Sequence, residues 1–162
     1  METAQNKIVK AALLGAGTVG SGVYQLVQER QEDFSHICGT QIQITKILVR
    51  DASKEREGIP SPLLTDNWNE IIEDDSISII IGGIEPAKSY LLEAMKAGKQ
   101  IVTANKDLIA EHGHELLDSA EKYGCDFLAA SDVAEPSKED REHLNEEGHK
   151  KLAEAVLEVL AA

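Results

Sequence analysis
Gly15, Gly17 and Gly20 stand in G-x-G-x-x-G spacing at the end of a short apolar run and the start of a helical pattern. The first glycine permits a tight turn, the second lets the backbone approach a pyrophosphate closely, and the third lets the helix pack on the strand. The N–H groups that open a helix then meet the phosphates unpaired. Thr18 and Val19 complete the candidate cradle. The segment reads as a dinucleotide-binding turn, which says what can bind and leaves open what reacts.

Such a cradle needs a strand before it and a helix after it, and the chain repeats that alternation. Residues 8–14 are mostly apolar and of strand length, and Val19, Val23, Leu26 and Val27 fall at helical spacing within 19–30. Ile42, Ile44 and residues 47–49 predict a second strand. Gly58, Pro60 and Pro62 interrupt any period over 54–65, which predicts a loop, and 68–72 is at most a short helix. Residues 77–81, apolar apart from Ser78, predict a third strand running into Gly82 and Gly83. Pro86 suits the first turn of a helix carrying Tyr90, Leu91, Ala94 and Met95, and Gly98 closes it. A fourth strand over 100–103, a helix over 108–123 stopped by Gly124, and a fifth strand over 125–130 follow. Leu152, Ala155, Val156, Val159 and Leu160 predict a final amphipathic helix packed on the sheet, with Asn145 as its N-cap. The pattern predicts an α/β fold: a three-layer Rossmann-like domain whose five-stranded parallel sheet runs in the order 3-2-1-4-5.

A formal charge of -13, spread along the chain, argues against nucleic acid and anionic membrane as partners, because phosphate backbones are held by clustered Lys and Arg. No run approaches the roughly 18 apolar residues of a transmembrane helix, and residues 1–7 are polar, so the expected compartment is the cytoplasm. Cys38 and Cys125 are far apart and lack metal-site spacing, which predicts two free thiols and no metal. The length predicts one domain across 1–162.

Four segments go beyond a generic Rossmann reading. They are 12–23 around the glycines, Ile47-Leu48-Val49-Arg50-Asp51, Gly82-Gly83-Ile84-Glu85-Pro86-Ala87, and 102–110 with Thr103-Ala104-Asn105-Lys106-Asp107. In this order they resemble the N-terminal nucleotide-binding domain of homoserine dehydrogenase over roughly residues 7–130. The resemblance implies NAD or NADP, with the turn from Gly15 to Gly20 under the pyrophosphate and Gly82, Thr103, Ala104, Asn105 and Lys106 toward the nicotinamide. It also implies a few more residues, including a glutamate, between the third strand and the paired glycines than stand here.

NAD-selective folds usually place an acid against the ribose hydroxyls at the end of the second strand, whereas this chain has Arg50, then Asp51, with Lys54 close behind. Arg50 and Lys54 favour a 2′-phosphate and hence NADP. Lys106 matches a lysine that in the family lies at the active site and assists oxidation of the homoserine hydroxyl. The family carries a substrate and dimerisation domain beyond the fifth strand that has no counterpart here, so Lys106 is expected to be a catalytic remnant in a monomer.

Residues 133–149 resemble instead the C-terminal block of SGNH-type esterases and lipases, where D-x-x-H supplies the acid and the histidine base. Asp140 and His143 occupy those places. A histidine base needs a serine to deprotonate. The nucleophile segment of that family is replaced by Gly15-Ala16-Gly17-Thr18, and Ser21 does not restore it, so Asp140 and His143 are remnants too. The expectation is an engineered chimera, dehydrogenase-like over 1–130 with a closing loop and helix over 131–162. It would keep NAD(P) binding and lack independent catalysis. The alternatives are an NADP-dependent homoserine dehydrogenase fragment and a folding scaffold that binds nothing.

Overall fold
A computed structural model describes residues 7–82, 88–103 and 105–129. The chain runs β1 (Lys7–Leu14), α1 (Thr18–Glu29), α2 (Gln31–Cys38), β2 (Thr40–Leu48), β3 (Leu64–Thr65), α3 (Asn69–Ile72), β4 (Ile77–Gly82), α4 (Lys88–Lys96), β5 (Gln100–Thr103), α5 (Lys106–Tyr123) and β6 (Phe127–Ala129). The expected helix over 152–160, Asp140, His143, Ala104, and the Gly83 and Pro86 turn lie outside the described residues.

Every strand pairing is parallel, and the sheet order is β3-β2-β1-β4-β5-β6. The α/β class and the order 3-2-1-4-5 hold, with a sixth strand added. The third place belongs to Leu64–Thr65, inside the stretch expected as a loop, so residues 77–82 become β4 and lie against β1. The prolines explain the extra strand. Pro60 and Pro62 open a short 3-10 turn, Ser61–Leu63, that brings the chain back beside Ile47 and Leu48, where Leu64 is buried. The helix α2 was also absent from the pattern. Phe34 and Ile37 are too few to show a period, but the Gln31 amide donates to the carbonyls of Val27 and Ile42 and fixes the start of the helix against β2.

Helices cover both faces of the sheet, so its central strands read as continuous apolar runs. Ala12 and Leu14 pack with Ile80, Ile101, Leu91, Met95 and Leu116 on one face. Ala11 and Leu13 pack with Ile42, Ile44, Ile47, Tyr24 and Val27 on the other. Each strand flanking β1 carries one extra residue. Ala11 and Ala12 pair with Ile44 and Lys46, leaving Thr45 as a bulge, and Lys10 and Ala11 pair with Ile77 and Ile79, leaving Ser78. The bulges keep faces and pattern consistent. Ile42, Ile44, Ile47 and Val49 are spaced 2, 3, 2 and still reach one core, while Ile77 moves to the same face as Ile80.

The amino end of the sheet closes on itself. Lys99, only 3% exposed, donates its ammonium to the carbonyls of Asp74 at 2.7 Å and Ile77 at 2.9 Å, and burial lowers its pKa. At the carboxyl end, β1 leads to β2 on one side while β4 lies on the other. The ends of β1 and β4 therefore flank the switch point where open α/β sheets bind ligands.

Candidate functional site at the carboxyl ends of the strands
The turn after β1 is held by its own backbone. The Gly15 N–H donates to the Leu48 carbonyl at 2.8 Å, extending the pairing of β1 with β2 by one residue, and Gly15 has a φ of 101°, which L side chains rarely adopt. The hydroxyl of Ser21 donates to the Ala16 carbonyl at 3.2 Å and ties the first turn of α1 back to the loop. A Cβ at Gly20 would lie 2.2 Å from the Gly15 carbonyl oxygen, so α1 sits this close to the turn only with glycine there.

Gly17 is different. Its φ of -78° suits any residue, and among the described residues nothing lies within 4 Å of where its Cβ would be. Gly17 is also the N-cap of α1. The first N–H groups of a helix, here those of Thr18, Val19 and Gly20, have no intrahelical acceptor. Among the described residues no side chain caps this end, its first turn carries no acid, and Thr18 and Val19 are exposed. An unshielded cluster of donors at the positive end of a helix dipole favours an anion.

The loop after β2 carries the charged candidates. Arg50 is exposed. Asp51 Oδ1 accepts from the backbone N–H of Ser53 at 3.0 Å and from its hydroxyl at 2.5 Å, while Lys54 Nζ lies 3.7 Å from Oδ2. The Ser53 hydroxyl, then its N–H, hold the Asp51 carboxyl below the usual carboxylate range. Lys54 is thus oriented toward Asp51 within the loop. Asp51 and Ser53 had no assigned role in the sequence reading, although D-x-S is a recognisable turn signal.

Across the switch point, Gly82 pairs in register with Leu14 on one side and Thr103 on the other, bringing the ends of β1, β4 and β5 into one row. Thr103 is buried, and its hydroxyl oxygen accepts from the Asn105 N–H at 3.2 Å. Asn105, expected toward the nicotinamide, is the N-cap of α5, its Oδ1 accepting from the Leu108 N–H at 3.1 Å. Lys106 is the first residue of that helix. Gly15, Gly17, Thr18, Val19 and Gly20 therefore gather in one turn, Gly82, Thr103, Asn105 and Lys106 line the next strand ends, and Arg50 and Lys54 stand on the β2 side.

Residues 15–130 match the family described as Homoserine dehydrogenase, NAD binding domain. The chain is 42% identical over 132 residues to the homoserine dehydrogenase of Bacillus subtilis (strain 168), a match covering 79% of this chain and 30% of that protein. It is 43% identical over 129 residues to the homoserine dehydrogenase of Corynebacterium glutamicum, covering 78% and 29%. A crystal structure of S. aureus homoserine dehydrogenase superposes with a TM-score of 0.72 at 40% identity, covering 81% of this chain and 34% of that one. This chain spans about 30% of the length of the curated relatives it matches.

These matches support the dehydrogenase resemblance and give none to the hydrolase resemblance around Asp140 and His143. They lend no support to the expectation of an engineered chimera and favour its alternative, a homoserine dehydrogenase fragment. Among the described residues no helix is long and apolar enough to cross a membrane. The chain belongs to the homoserine dehydrogenase family, of which it carries the NAD-binding domain.

Proposed function
We propose that the chain binds NADP in preference to NAD at the switch point and serves as the nucleotide half of a homoserine dehydrogenase. The observation that carries this reading is the N-terminus of α1, where among the described residues Gly17 leaves space beside donors that no side chain caps. The pyrophosphate would lie on the N–H groups of Thr18, Val19 and Gly20, and Gly15 would keep the turn tight enough to present them. The exposed Arg50 would take the 2′-phosphate, since a guanidinium matches its oxygens in a fork. Lys54, already beside Asp51, adds positive potential there.

When bound, the nicotinamide supplies the hydride acceptor for oxidation of the homoserine hydroxyl. The chain's own part is placement. Gly82 and Thr103, paired across β4 and β5, would bound the nicotinamide side, and Lys106, which matches the family's active-site lysine, would assist the hydroxyl proton. Asn105 contributes by holding the start of α5, and hence Lys106, in place.

The test is a calorimetric titration of the full chain with NADPH and NADH, with thermal stability followed in parallel. Saturable binding favouring NADPH is expected, and NADPH at about 100-fold over its Kd should stabilise the fold by about 2.7 kcal/mol. Gly17→Leu should abolish binding while the protein still folds, and Arg50→Ala should weaken NADPH more than NADH. Wild-type affinity in Gly17→Leu would overturn the site.

A further inference from the structure
Asp51 follows Arg50 just beyond the end of β2, close to where an acid in a Rossmann-like fold would receive the ribose hydroxyls of NAD. Here that carboxylate is already engaged. Oδ1 takes both the N–H and the hydroxyl of Ser53, and Oδ2 faces the Lys54 ammonium at 3.7 Å. The loop beyond is anchored as well. The Ile59 N–H donates to the Arg56 carbonyl at 3.1 Å, and Ile59 is buried against the core on the α1 side of the sheet. Fixed at β2 and at Ile59, the segment between them is folded locally by Asp51.

We infer that Asp51 is a specificity-determining positioning residue. It does not bind the ribose; it folds the 51–54 turn so that Arg50 and Lys54 are presented to a 2′-phosphate. This rests on the reading of Arg50 as the phosphate ligand. The inference also separates two neutral replacements that charge alone would treat alike. A bare carboxylate beside a phosphate repels it, so electrostatics by itself has any neutral replacement of Asp51 bind the phosphate more tightly. If the turn matters, the replacement must still accept the Ser53 N–H. Asparagine can do so, whereas alanine cannot.

Two fragments isolate the adenosine end, 2′,5′-ADP with the phosphate and AMP without it. The full chain, Asp51→Asn, Asp51→Ala and Arg50→Ala are titrated with each by calorimetry, with thermal midpoints recorded as a check on folding. Asp51→Asn is expected to bind 2′,5′-ADP at least as well as the parent, and Asp51→Ala about five-fold more weakly than Asp51→Asn, one hydrogen bond's worth. AMP affinity should be the same in both variants. Equal 2′,5′-ADP affinity in the two Asp51 variants overturns the positioning role. A loss of AMP binding in both shows instead that Asp51 holds the ribose directly and overturns it too. Arg50→Ala separates the underlying reading: unchanged 2′,5′-ADP affinity there refutes the phosphate assignment of Arg50, whatever the Asp51 variants do.

Discussion

Two helices begin at the carboxyl end of the same sheet, and they are finished in opposite ways. At α5, Asn105 accepts the Leu108 N–H, Thr103 accepts the Asn105 N–H, and Asp107 places a negative charge in the first turn. At α1, the N-cap is Gly17, no side chain among the described residues caps the end, and the first turn holds no acid. With glycine at its N-cap, a helix end forgoes a few tenths of a kcal/mol. The chain makes that omission after β1, at the switch point, and not after β5, two strands away. The difference teaches where the protein completes its own hydrogen bonding and where it leaves donors for something else to complete.

The largest effect should come from pressing on the contact that holds the open helix in place. In Gly20→Ala the new methyl would stand 2.2 Å from the Gly15 carbonyl oxygen, a backbone atom that cannot swing aside, so α1 must shift away from the turn. A loss of about 3 kcal/mol is expected, at the upper end of the usual overpacking range. Urea denaturation measures it, and a loss below about 0.5 kcal/mol, the usual bound for a surface change, would mean that α1 is not seated on the turn as described.

Next in size is removal of the cap that closes the other helix. Asn105→Ala leaves the Leu108 N–H without its side-chain acceptor and should cost about 1 kcal/mol in the same denaturation experiment. No measurable cost would put the two helix ends on an equal footing and dissolve the contrast.

Much of this architecture was legible. The strands of the centre are near-continuous apolar runs because both their faces are covered, and the helix stops at Gly98 and Gly124 coincide with positive φ. The two-residue β3 was not legible, since Leu64 and Thr65 are too short to carry a period and their pairing depends on a proline turn several residues earlier. At the site, the glycines could be read because each role excludes a side chain. Asn105 could not be assigned from its type, since capping a helix and contacting a ligand call for the same amide, and only the spacing to Leu108 separates them. Asp51 was hidden for a related reason: an acid after a second strand suits a ribose or a turn equally, and the direction of its carboxylate is set by Ser53 two residues on.

The smallest change in stability should come from giving α1 the closure that α5 already has. Gly17 has extended backbone, with φ -78° and ψ -164°, which is ordinary for an N-cap aspartate, and nothing described lies within 4 Å of the new Cβ. The carboxylate of Gly17→Asp can accept the N–H groups two and three residues on and places a negative charge at the positive end of the dipole. Stability should therefore rise by a few tenths of a kcal/mol. The same carboxylate would occupy the donors proposed for the pyrophosphate and repel it, so NADPH affinity should fall by more than about 100-fold. A variant that is slightly more stable and no longer binds would show that the missing cap is kept open for the ligand. One that is more stable and binds as before would move the phosphates off α1 and leave the uncapped end without a function.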